Sequence, residues 1–143
     1  PESRLVAVHP GSGSLRKNWP PDRWLALAQW LERACGVSLL VASAEAEPAN
    51  LIAGVGQSAR HLPLGQLADR LAGCQLFLGH DSGVSHLAAA AGVRCILLFG
   101  PTDPAMWAPP GPRVQVLRSG PAVAAISLPH VQQAVRVALL DQT

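Results

Sequence analysis

The chain has no tyrosine, two phenylalanines and a single lysine among its 143 residues. So few aromatic rings leave little on which unpaired bases could stack, and the net charge of +2 comes with no basic block. Both argue against a nucleic-acid-binding surface. Charge is scarce altogether: Lys+Arg 11 and Asp+Glu 9 make up 14% of the chain, against about 25% in an average soluble domain. With 49% hydrophobic residues, that composition excludes a disordered or coiled-coil chain. No uncharged apolar run approaches the roughly 18 residues of a membrane span. The opening Pro1-Glu2-Ser3-Arg4 has no start methionine and no basic-then-apolar signal pattern, and reads like the middle of a longer chain. The three cysteines, Cys35, Cys74 and Cys95, lack the paired spacing of zinc sites. Their apolar surroundings suggest buried free thiols in a reducing compartment.

The length suggests one domain, residues 1–143. Short unbroken apolar runs alternate with helical patterns. Strands are expected at residues 5–9, 38–42, 60–62, 74–79, 94–99 and 114–117. Between them, Pro21-Asp22 opens a helix whose apolar stripe is Trp24, Leu27, Ala28, Leu31 and Ala34, stopped by Gly36. Further helices are expected over residues 45–54, 64–72, 82–91 and 128–140, and residues 100–112 read as a Pro-rich loop. Runs without polar alternation are those of strands covered on both faces. The expectation is therefore an α/β fold: a doubly wound, mostly parallel, six-stranded, Rossmann-like sheet.

Two loops concentrate small and polar residues. One follows the first strand: His9-Pro10-Gly11-Ser12-Gly13-Ser14, then Lys17. The other follows the fourth: Gly79-His80-Asp81-Ser82-Gly83-Val84-Ser85-His86. In the strand order 3-2-1-4-5-6 these strands are neighbours where the winding reverses, and ligands bind outside their carboxyl ends. Ser12, Gly13 and Ser14 offer backbone N–H groups and hydroxyls, and Lys17 a point charge. A helix opening at Ser82-Gly83, with Ser85 and His86 in its first turn, turns its N–H groups and positive dipole end toward the same space. An anionic ligand, and a diphosphate in particular, suits these donors.

Asp81 has several readings: the N-cap of the following helix, a partner for ligand hydroxyls, or, in the strand-to-helix pattern Gly79-His80-Asp81-Ser82-Gly83, the nucleophile of a small hydrolase with His130 as its late histidine. Glu45 follows the second strand, where an acidic residue commonly binds a ribose hydroxyl. His9, His61 and His130 have no supporting neighbours in sequence and read as structural. Trp107 reads as an apolar anchor packed under the Pro-rich loop; the alternative is that it faces a cleft toward another domain.

Three of these segments together resemble the C-terminal domain of family 9 glycosyltransferases, which include the lipopolysaccharide heptosyltransferases. They are His9-Pro10-Gly11-Ser12-Gly13-Ser14 with Lys17, Trp19-Pro20 and Trp24; Asp81-Ser82-Gly83-Val84-Ser85-His86-Leu87-Ala88-Ala89, similar to D-[ST]-G-x-x-H-x-x-A; and Phe99-Gly100-Pro101-Thr102-Asp103-Pro104 with Trp107 and Pro109, similar to F-G-x-T-x-P…W-x-P. The resemblance runs over residues 5–117 with order and spacing intact.

It implies the C-terminal half of a GT-B architecture, in which two Rossmann-like domains flank the active site and this half binds the sugar donor, typically ADP-heptose or another nucleotide diphosphate sugar. Ser12, Gly13, Ser14, Lys17, Ser82, Gly83 and His86 would hold the diphosphate, and Glu45 and Asp81 the ribose and sugar. The transfer would need no metal. The catalytic base and the site for the lipid A–core acceptor would lie in an N-terminal domain that this chain lacks, so the chain alone would be inactive. The full enzyme would be cytoplasmic, at the inner membrane of a Gram-negative bacterium. The alternatives are a stand-alone nucleotide- or phosphate-binding module and the Asp81 hydrolase. A surface built to meet a partner domain and a ligand would also account for the low charge.

Overall fold

The computed structural model describes residues 5–11, 15–41, 57–58 and 62–140. Its elements run β1 (Leu5–Val8), α1 (Pro21–Ala34), β2 (Ser38–Val41), β3 (Gln57–Ser58), α2 (Leu64–Ala72), β4 (Leu76–His80), α3 (Gly83–Ala90), β5 (Cys95–Phe99), α4 (Pro104–Trp107), β6 (Val114–Arg118) and α5 (Leu128–Leu140). Single 3-10 turns lie at Leu15–Lys17 and Val123–Ala125. The strands form one six-stranded sheet in the order β3-β2-β1-β4-β5-β6, and every pairing is parallel. The expected doubly wound, Rossmann-like sheet and its strand order are those observed.

Each strand face feeds a separate apolar layer. Val6 and Val8 of β1 and Leu76 and Leu78 of β4 pack with Trp24, Leu27, Ala28 and Leu31 of α1 and Val131 and Val135 of α5. Leu5, Ala7 and Phe77 point the other way, onto Leu67 and Leu71 of α2 and Ala88 of α3. This two-residue alternation with both faces buried is why the strands read as unbroken apolar runs. Trp19 and Trp24 are fully buried. Trp19 Nε1 donates to Ile126 O at 2.8 Å, and Arg23 donates to Ala124 O and Ile126 O. The turn before α5 is thereby tied to the segment leading into α1. On the outside, the Arg136 guanidinium lies 5.2 Å from the Trp30 ring centre, adding a cation–π contact between α5 and α1.

Some expectations shift. The third strand lies at Gln57–Ser58 rather than 60–62; residues 59–61 fall outside the described residues, and Leu62 is not in a strand. The true strand pairs Gln57 with Leu40 and Ser58 with Val41. Two polar residues at a sheet edge leave no apolar run to read. The expected helix over 45–54 lies outside the described residues. Ala34, counted in the α1 stripe, is exposed. The Pro-rich loop contains a helix, α4, capped by the Asp103 side chain accepting from Ala105 N at 3.0 Å, with Pro104 at the first helical position. Trp107 is not buried under that loop: it is 53% exposed. Of the cysteines, Cys74 and Cys95 are buried and Cys35 only partly so, all as free thiols. Burial pushes the Cys95 thiol up to about 12, against a smaller opposing effect of Arg113.

Gly100 sits where β5 ends against the backbone of Val123. A Cβ there would lie 2.4 Å from Val123 N, and the Gly100 carbonyl receives both Arg118 Nε and one terminal nitrogen at 3.2 and 3.1 Å. Backbone facing backbone cannot yield as a flexible side chain would. Gly100→Ala is therefore expected to lower unfolding stability by about 1–3 kcal/mol, the usual range for overpacking, as read by urea titration. Unchanged stability would show that the two segments can separate freely.

Candidate functional site

The carboxyl ends of β1 and β4 lie side by side: Val8 pairs with Leu78, and His9 N donates to Leu78 O at 2.8 Å. The sheet reverses its winding between these strands, so the chain leaving each opens onto one crevice. Three residues past β4 and the segment between β1 and α1 meet there.

Lys17 reaches across to Asp81, with Nζ 3.3 Å from Oδ2. Thr102 Oγ1 donates to the same oxygen at 2.8 Å. The Asp81 side chain is 11% exposed and that of Lys17 31%, so the lysine keeps contact with solvent while paired with its carboxylate. Asp81 is not the cap of α3. Ser82 is: its Oγ accepts from Ser85 N at 3.4 Å, and the helix starts at Gly83. Extended backbone at Ser82 leaves its hydroxyl poised over the first turn, whereas the Asp81 carboxylate is turned to Lys17 and Thr102. The hydrolase reading needs His130 near Asp81, where it could activate a water. Among the described residues the two share no hydrogen bond, and His130 lies exposed at the start of α5, its N–H donating to Ser127 Oγ.

A Cβ added at Gly83 would meet no atom within 4 Å beyond its own helix backbone, so the space beside Gly83 is open. The first amides of a helix have no partner within it and carry the positive end of its dipole. Close by, Gly79 has the opposite constraint. A Cβ there would come within 2.6 Å of the Phe77 ring and 3.1 Å of Ser85 Oγ, so glycine lets α3 pack directly on β4. Ser85 Oγ then donates to the His80 carbonyl.

His80 is fully buried and uses both ring nitrogens. Trp19 N donates to Nε2 at 2.8 Å, and Nδ1 lies 3.0 Å from Gly11 O. Nε2 accepts, so the proton of the neutral ring is on Nδ1 and is donated to Gly11. Burial lowers its pKa to about 4, although the Gly11 hydrogen bond works to raise it. His9 is also buried and lowered to about 3, by burial first and by the charge of His80 second. It is not without neighbours: its Nδ1 lies 3.4 Å from Ser82 Oγ. His86 is exposed on α3, and its Nε2 lies 3.0 Å from Trp107 O, anchoring α4 to α3.

Of the residues expected at the site, the structure brings together Lys17, Asp81, Ser82 and Gly83, with His86 one turn into α3. Ser12, Gly13, Ser14, Glu45 and His61 lie outside the described residues. Thr102, His80 and the His9–Ser82 contact were not singled out from sequence. The signal for His80 was present: Leu76, Leu78 and His80 alternate onto one face, and a histidine on a core face must find partners.

A family model described as glycosyltransferase family 9 (heptosyltransferase) matches residues 2–133. The chain belongs to this family. Family 9 relatives include lipopolysaccharide heptosyltransferase 1 of Pseudomonas aeruginosa, 40% identical over 105 residues, or 70% of this chain and 29% of that protein. Lipooligosaccharide heptosyltransferase 2 of Haemophilus influenzae is 30% identical over 134 residues, 82% of this chain and 37% of that protein. Among solved structures, the E. coli heptosyltransferase WaaC with ADP superposes with a TM-score of 0.85 at 23% identity, over 96% of this chain and 45% of that one; at that identity the likeness speaks to the fold. The chain thus spans less than half the length of these family 9 proteins. Among the described residues no group of three or more His, Cys, Asp or Glu side chains could hold a metal ion, and no helix is long and apolar enough to cross a membrane.

The two buried imidazoles give folding a defined pH dependence. Their folded-state values, about 3 and about 4, lie below the ordinary 6.5. Between those values and 6.5 the unfolded chain takes up protons that the folded chain refuses, so stability falls as pH falls. The contribution is level above pH 7 and, at 1.36 kcal/mol per pKa unit, His80 alone accounts for about 3 kcal/mol across the window. Urea unfolding at pH 7.5, 6.0 and 5.0 should show this loss, with a shallower slope for His80→Gln. An identical slope in that variant would mean that His80 is not held neutral.

Proposed function

We propose that this chain is the donor-binding part of a family 9 glycosyltransferase, taking a nucleotide diphosphate sugar of the ADP-heptose type. The observation that carries the proposal is the meeting of Lys17 with the start of α3 at the carboxyl ends of β1 and β4. A cation and a helix N-terminus facing one crevice suit a diphosphate, which spreads its charge over several oxygens. Lys17 would turn from Asp81 to the ligand, or be shared between them. Ser82, Gly83 and His86 would line the phosphates, and Ser12, Gly13 and Ser14 are proposed to join them on sequence grounds. Glu45 and Asp81 are proposed for the ribose and sugar. Adenine and heptose are supported by the heptosyltransferase relatives, one of them solved with ADP.

In this reading Lys17 and the helix dipole stabilise the departing diphosphate, the part a preorganised set of donors plays in transfer chemistry, and no metal is required. The base that activates the acceptor hydroxyl, and the site for a lipopolysaccharide-core acceptor, would belong to an N-terminal domain; the short span relative to the family 9 proteins supports this. The work would be done in the cytoplasm, at the inner-membrane surface where such an acceptor is reached.

Calorimetric titration of the chain should detect ADP and ADP-heptose binding that EDTA does not alter. Lys17→Ala should weaken it by about 1.5–3 kcal/mol, the loss of a charge-assisted contact. Full affinity in that variant would remove Lys17 from the phosphate site. The chain alone should turn over no donor in the presence of a lipid A–core acceptor; steady transfer would overturn the division of labour between domains.

A further inference from the structure

We infer that His80 is a positioning residue of the donor site: it pins both ends of the segment that carries Lys17, and so sets where that ammonium meets an anion. The inference rests on the donor-binding reading above. His80 itself is fully buried and touches no ligand; it acts through the backbone.

Its two hydrogen bonds go to opposite flanks of one segment. Gly11 O, just past β1, takes the Nδ1 proton at 3.0 Å, and Trp19 N, just before α1, donates to Nε2 at 2.8 Å. One planar ring thus fixes the separation and relative orientation of Gly11 and Trp19. The next residue along β4's exit, Asp81, takes Lys17 from the same segment at 3.3 Å. The dipeptide His80-Asp81 therefore grips residues 11–19 at three points. The ring cannot turn away without cost. Trp24 meets it edge to face, with ring centres 5.2 Å apart and planes at 86°, and Trp19 meets Trp24 in the same way at 5.3 Å and 89°.

An apolar residue would serve packing better here. Position 80 continues the face of Leu76 and Leu78, which are wholly in the core. Placing an imidazole there costs desolvation. What it provides in return is a partner for one buried carbonyl and one buried amide, both belonging to the Lys17 segment. That is the pattern of a group held for geometry.

The test is titration of ADP into the 143-residue chain, with thermal stability measured alongside. Compared with the unmodified chain, His80→Leu should weaken ADP binding at least tenfold. Lys17→Ala should then cost little more in the His80→Leu background, because the ammonium is already misplaced. His80→Gln, whose side-chain carbonyl can accept from Trp19 N, should recover part of the affinity. Leu71→Ala, in the opposite core layer, should lower stability but keep the Kd of the unmodified chain.

Undiminished ADP binding by His80→Leu would overturn the inference and leave the donor-binding reading standing. An equal loss in Leu71→Ala would also overturn it, since lost stability alone would then explain the effect. Failure of the unmodified chain to bind ADP would instead overturn the donor-binding reading, and this inference with it. If His80→Leu does not fold, His80→Gln decides: an intermediate Kd supports the assignment, and an unchanged one overturns it.

Discussion

At the end of β4 two buried backbone groups need hydrogen-bond partners. The carbonyl of Gly11 and the amide of Trp19 belong to different ends of one segment, and a single neutral imidazole pairs with both. A charged ring could not do this, since it has two donors and no acceptor. Burial keeps the ring neutral, neutrality lets it bridge, and the bridge fixes the segment that carries Lys17. The arrangement of the crevice follows from that one constraint.

Other features of β4 divide between its faces. On one side Leu76, Leu78 and His80 meet α1 and the tryptophan pair. On the other, Phe77 fills the layer beneath α2 and α3, and the missing side chain at Gly79 leaves room for the Phe77 ring and Ser85. Ser85 then closes on the His80 carbonyl, so the start of α3 is set against the same strand end that fixes the Lys17 segment. One short strand places both halves of the crevice, one through a side chain and the other through the absence of one. The sheet order puts the reversal of winding between β1 and β4, where the candidate site lies.

The strands β1, β2, β4 and β5 were legible because buried parallel strands leave continuous apolar runs, while their order was taken from the common one for such folds. β6 is interrupted by the exposed Gln115, and β3 is two polar residues at an edge. α4 was hidden by its prolines, although Asp103-Pro104 is itself a helix-opening signal. In the site, the meeting of Lys17 with Asp81 could be anticipated only as proximity: topology places two loops at one crevice but does not say which side chain pairs with which. Asp81 had the composition of a helix cap, yet Ser82 has the backbone geometry for it. Trp107 reads as the apolar anchor that a Pro-rich loop needs; what is anchored is its carbonyl, held by His86, while the side chain is half exposed. His80 is masked in the sequence by the conspicuous Asp81 beside it, although strand alternation puts it on the buried face of Leu76 and Leu78.

The perpendicular stack of Trp19, Trp24 and His80 has an optical consequence. In a chain with four tryptophans and no tyrosine, one indole meets the ring that organises the crevice and a second meets that indole, one lies beneath Arg136 and one faces outward on α4. The two in the stack are shielded from solvent and emit toward the blue, while Trp107 emits from a wetter setting. The protein therefore carries its own fluorophores on either side of its candidate site, and their separate emission distinguishes a rearrangement of the Lys17 segment from an event at α4 without any added label.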